Sequence, residues 1–190
     1  MNALYVGLDP QPECLVAAVM EPGFGHLIES YSTEWNCATK TLGESLLSWE
    51  PFYPLGEIIL AFCPDDDFWP PQFTDHLRSL CGVYTLRQNQ VSEVLQTSAR
   101  ILHRNLQHKR ANLLAFLGRH YSVLEESGCF TDLTHRDLAC AWALQITRQE
   151  MLDVELTIAC DGYDVSRLHP LEPIHVLSQS GPQDPDIIPF

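Results

Sequence analysis

The chain has 190 residues, 45% of them hydrophobic and 19% charged, with a formal net charge of −14. That length suits one domain with a real core, and no apolar stretch approaches the ~20 residues that a membrane-spanning helix needs. The acidity argues against a protein that coats nucleic acid, because phosphate binding depends on Lys and Arg releasing counterions.

The N-terminus has no basic region ahead of an apolar one, so an unexported, cytoplasmic protein is expected. The seven cysteines are dispersed, mostly within apolar segments, and form no C-x-x-C pair. Reduced, buried thiols fit that pattern better than disulfides or a zinc site.

In chain order, Ala3 to Asp9 reads as an apolar strand that ends on a carboxylate and runs into Pro10. A desolvated carboxylate costs several kcal/mol unless something compensates it. Asp9 is therefore either a turn aspartate capping the bend at Pro10 to Pro12 or a metal ligand. Glu13 to Met20 and His26 to Thr33 read as two further strands, joined by short turns into a meander. Thr39 to Trp49 has helical spacing and is closed by Pro51 and Pro54.

Glu57 to Cys63 is nearly continuous in apolar residues, as in a strand buried on both faces, and ends in Pro64-Asp65-Asp66-Asp67. A helix from about Pro71 to Leu80 and a strand over Val83 to Leu86 complete a crossover that makes these two strands parallel. From Gln90 to Ser127 the apolar positions keep helical periodicity, with a bend near Gly118 or a split near Asn105. Gly128 fits a stop, and Asp132 or Thr134 could cap a last helix from about His135 to Met151. Beyond it, Val154 to Ala159 and Ile174 to Leu177 read as short strands. The domain boundaries expected are 1–150, an extension over 151–177, and a tail over 178–190.

Between Arg87 and His120 six basic residues face a single acid, Glu93. Arg100, Arg104, Lys109 and Arg110 are thus candidates for contact with nucleic acid or another partner, with a solvated helix surface as the plainer reading. The histidines of this stretch do not align as a metal face, and the four tryptophans read as core anchors.

Tyr5-Val6-Gly7-Leu8-Asp9 resembles the opening strand of RuvC-type Holliday-junction resolvases and of DEDD insertion-sequence transposases, in which a "GxD" strand carries the first catalytic aspartate. Phe62 to Val91 looks like the corresponding part of the transposases. Thr134 to Leu144, opening on Asp137 and continuing in alanines and leucines, looks like the resolvases' last helix. The resemblance spans residues 3–150 and implies the RNase H-like superfamily. The implied fold is α/β: a mixed five-stranded sheet, three strands in an antiparallel meander plus two parallel ones, flanked by helices.

It further implies a divalent-metal-dependent nuclease or resolvase acting on DNA, with carboxylates holding two ions that activate water and stabilise the leaving oxygen. Oxygen ligands suit Mg²⁺ or Mn²⁺. Asp9 would bridge the ions, Asp137 would reach them from the last helix, Asp65 or a neighbour among Asp65 to Asp67 would complete the set, and His135 would assist with a proton or a ligand. Branched DNA or a protein are the partners implied, with a homodimer as the candidate assembly.

The chain departs from the pattern in three places. Phe62 and Cys63 stand where the family has a glutamate, Thr134 where the resolvases have an acid, and Gln107 and Arg110 near the transposases' paired aspartates. Asp65 to Asp67 also suit a solvated turn, and Asp137 suits a helix first turn whatever the function. The alternative is accordingly a catalytically inactive member, with no cofactor, serving as a binding or scaffold module. An actin-like nucleotide-binding fragment is a third reading, which lacks a glycine-rich phosphate loop after the first hairpin.

Overall fold

The computed structural model describes residues 3–23, 25–127 and 133–160, and the side chains of these except 123–127 and 156–160. By contacts the chain divides into Met1–Leu152 and Asp153–Phe190; of the second unit, only the last turns of a helix, to Cys160, are described.

The meander forms as expected. β1 (Leu4–Pro10) pairs antiparallel with β2 (Cys14–Met20), which pairs antiparallel with β3 (Leu27–Glu34). β4 (Ile58–Phe62) lies parallel to β1 on its other side, and β5 (Gly82–Thr85) lies parallel to β4. The five-stranded order is β3-β2-β1-β4-β5. β1 is central and buried along its whole length, which is why its sequence is apolar on both faces.

Helices cover both faces. α1 (Trp35–Trp49) and α2 (Phe73–Leu80) pack on one, where Leu42, Leu46 and Leu77 meet Leu4, Val6 and Leu8. α3 (Gln88–Ile101), α4 (Arg110–Ser127) and α5 (His135–Cys160) pack on the other, where Leu113, Leu114, Leu117 and Trp142 meet Tyr5, Met20 and Ala61. Among the described residues no helix is long and apolar enough to cross a membrane.

α4 lies directly on the sheet. A Cβ built on Gly7 would stand 1.9 Å from the Ala111 carbonyl oxygen and 2.4 Å from the Ala115 nitrogen, and one built on Gly118 would stand 2.5 Å from the Ala61 Cβ. The two glycines let the α4 backbone touch β1 and β4, and this contact aims the first turn of α4 at the end of β1.

Several expectations are corrected. α1 starts at Trp35 instead of Thr39, because Trp35 is anchored by its Nε1 donating to the Gln11 carbonyl at 2.9 Å and by edge contacts with Trp69 and Phe73. Of the two forms expected for the long helical stretch, the split near Asn105 is the one found. α3 ends where the Arg104 N–H bonds the Ala99 carbonyl and the His103 N–H bonds that of Arg100, with His103 left-handed at φ 52°. Val154 to Ala159 is not a strand: α5 runs through it to Cys160. Extending a helix adds one backbone bond per residue, whereas a strand there needs an edge to pair with. Of the described cysteines only Cys63 is buried; Cys14 and Cys81 are half-buried, and Cys37 and Cys140 are exposed. Gly128, Asp132, the strand expected at 174–177 and the tail lie outside the described residues.

Candidate functional site

Three segments meet at the C-terminal end of β1. β1 delivers Asp9, which is 2% exposed. The segment after β4 delivers Asp66, fixed by a turn in which its N–H meets the Cys63 carbonyl at 3.4 Å, the same oxygen that accepts from Trp69 Nε1 at 2.6 Å. α4 delivers its first residue, Arg110, after a 3₁₀ turn over Gln107–Lys109.

The Arg110 guanidinium lies between the two acids. Nη1 donates to Asp9 Oδ1, and Nη2 donates to both oxygens of Asp66 at 3.1 and 2.9 Å. Gln11 Nε2 donates to Asp9 Oδ2 at 2.6 Å, so each oxygen of Asp9 has a donor. The Arg110 and Asp66 side chains are 9% and 7% exposed. A cation at a helix N-terminus opposes the helix dipole. Here two carboxylates offset that cost.

Burial lifts the Asp9 carboxyl above its ordinary value, and the Arg110 charge and the hydrogen bonds from Arg110 and Gln11 draw it part of the way back. Burial works against the Arg110 charge too, but Asp9 and Asp66 outweigh it and hold the guanidinium protonated. The neighbouring Cys63 thiol is pushed up to about 12 by burial, so it is a packing group and not a nucleophile. A cleft of about 220 Å³ opens over the pair, lined among others by Gln11, Phe68, Gln88 and Gln107.

The other expected residues sit apart from this cluster. Asp65 is exposed. Asp137 is exposed at the start of α5, where its carboxylate accepts from the Thr134 N–H at 3.0 Å and hydroxyl at 2.6 Å, while its own N–H donates to Thr134 Oγ1 at 3.2 Å. That is a reciprocal helix cap, and these hydrogen bonds hold the Asp137 carboxyl below the usual range. His135 Nδ1 lies against the Glu93 carboxylate, tying α5 to α3. Arg104 grips Glu150 with bonds of 2.9 and 2.8 Å, and Lys109 reaches the same acid at 3.3 Å. Arg100 is exposed.

Among the described residues no group of three or more His, Cys, Asp or Glu side chains could hold a metal ion. The described residues do not fit a two-metal centre: the carboxylate that would bridge the ions, Asp9, is bonded to a guanidinium and an amide. Gln11 is not singled out by the sequence; Asp66 is expected as one of three candidate ligands at 65–67 and Arg110 as a contact for a partner, and the structure brings the two together in an ion pair.

No family model matches the chain, and no curated protein matches it. Among solved structures the chain is similar to T. thermophilus RuvC in complex with Holliday junction substrate, at 14% identity and a TM-score of 0.32, over 84% of this chain and 96% of that one. A likeness at that level carries no argument about function. The order β3-β2-β1-β4-β5, with its antiparallel meander, parallel β4 and β5, and helices on both faces, gives the chain an RNase H-like α/β fold.

Proposed function

We propose that the protein is a catalytically inactive RNase H-like module that serves as a binding or scaffold element for a protein partner. The observation that carries this reading is Arg110, bonded to Asp9 and Asp66 where a nuclease would need cations between carboxylates. A guanidinium in that position satisfies the acids and repels a divalent ion brought beside it. A protein partner is favoured over nucleic acid because the chain carries −14 and because Arg104, Lys109 and Arg110 are engaged by Glu150, Asp9 and Asp66.

The test is incubation of the full chain with branched, duplex and hybrid substrates in Mg²⁺ and in Mn²⁺, beside an Asp9→Asn control. No cleavage is expected. Metal-dependent cleavage that disappears in Asp9→Asn overturns the reading and restores a nuclease that uses Asp9. Branched-DNA binding tighter than about 1 μM at physiological salt, beyond ordinary non-specific affinity, overturns the choice of a protein partner.

A further inference from the structure

A second pocket, of about 230 Å³, lies toward the other end of α4, where α4 and α5 line it together with His26. It shares no residue with the cleft over Arg110. Arg119 and His120 come from α4, Gln145 and Arg148 from α5, and the buried Phe116 also lines it. Among the described residues no acid lines it, in a chain with 25 acids and 11 bases.

Arg119 donates Nε to the Pro22 carbonyl at 2.9 Å and Nη2 to that of Gly23 at 2.5 Å, and these oxygens are neutral. The bonds fix the guanidinium against the β2–β3 turn, which Gln145 also holds through the Gly25 carbonyl. Arg148 lines the pocket from α5 at an exposed position. His120 stacks on Phe116 with ring centroids 5.6 Å apart, so its imidazole is held in place at the pocket. Burial, and then the Arg119 charge, keep its pKa below the ordinary value.

We propose that this pocket binds a small phosphorylated molecule through Arg119 and Arg148, with the His120 ring beside them. A guanidinium fork matches phosphate oxygens in pairs, and two cationic groups suit a dianion better than a monocarboxylate. The volume accepts a phosphate with a short organic group. Arg119 is already immobilised, so little side-chain entropy is lost when it engages the ligand.

The test titrates the full chain with inorganic phosphate and with glycerol phosphate at fixed ionic strength, using acetate as the monoanion control. Histidine ring NMR, with His120 assigned by loss of its signal in His120→Gln, and thermal unfolding are the readouts. Both phosphates should move the His120 signals saturably and raise the melting temperature. Arg148→Gln, at an exposed position, should weaken binding about tenfold, and Arg148→Lys should weaken it less. A response absent for phosphates, matched by acetate, or unchanged in Arg148→Gln overturns the proposal.

Discussion

Arg110→Met removes the guanidinium but keeps an aliphatic stem of similar length, leaving Asp9 and Asp66 buried with no cation between them. Removing one partner from a buried ion pair costs about 3–5 kcal/mol, because a charge remains uncompensated. Gln11 still donates to Asp9, which places the expectation near the lower end, about 3 kcal/mol. For a domain of this size that lowers the melting temperature by roughly 6–12 °C. In urea the midpoint should fall by about 1–2 M. The dependence on pH has a definite sign. Burial already raises the folded-state pKa of Asp9 above 3.8, and loss of Arg110 raises it further. The folded variant then takes up a proton at a pH where the unfolded chain does not, so its deficit shrinks as pH falls from neutrality toward the raised pKa of Asp9. Asp9→Asn added to Arg110→Met should recover part of the loss at neutral pH. A variant within about 1 kcal/mol of the wild type at pH 7, or a deficit that grows on acidification, refutes the reasoning.

Gly7→Ala places a methyl group 1.9 Å from the Ala111 carbonyl oxygen, so α4 must lift from β1; a loss of at least about 3 kcal/mol in chemical denaturation is expected, and near-neutral behaviour would contradict the packing. His103→Gly relieves a left-handed residue at φ 52° and should stabilise by about 1 kcal/mol, read as a melting temperature higher by roughly 2–4 °C. His120 has a folded pKa below 6.5, so the unfolded chain binds its proton first and the stability it contributes is present above pH 6.5 and lost as pH falls through the window below it. His120→Phe should remove that loss, so the difference between wild type and variant is constant above pH 6.5 and moves in favour of the variant below it; parallel curves throughout would contradict the assignment.

Much of the sheet was legible because its strands are local patterns. The run from Ala3 to Asp9 announces a strand buried on both faces, and the crossover between Glu57 and Leu86 dictates a parallel pair. The end of α5 was misread because Val154-Glu155-Leu156-Thr157-Ile158-Ala159 alternates like a strand, and nothing in those residues tells that the preceding helix continues. The start of α1 was misplaced for a related reason: Glu34 makes no side-chain cap, and Trp35 is held by partners 24 and more residues away. At the site, Asp9 was recognised, but its partner was not. The chain signals that an arginine stands near the position of an acid; it does not signal that the arginine folds back onto Asp9. Asp137 illustrates the converse, since a first-turn aspartate after Thr134 has a local role that its spacing already permits.

The contact between α4 and β1 also governs the order in which the molecule can be assembled. Arg110 and Asp9 are 101 residues apart in sequence. During synthesis β1 can pair with β2, β3 and then β4 while the face that carries Gly7 and Asp9 is still bare. Closing that face has to wait until α4 has left the ribosome, which makes it a late, non-local step of the kind that limits folding rates. Until then the emerging sheet exposes its apolar centre beside an unneutralised carboxylate. The pairing of Asp9 with Arg110 therefore belongs to the late part of assembly, and α5, which adds Leu138, Trp142 and Ile146 to the same face, completes the cover after it.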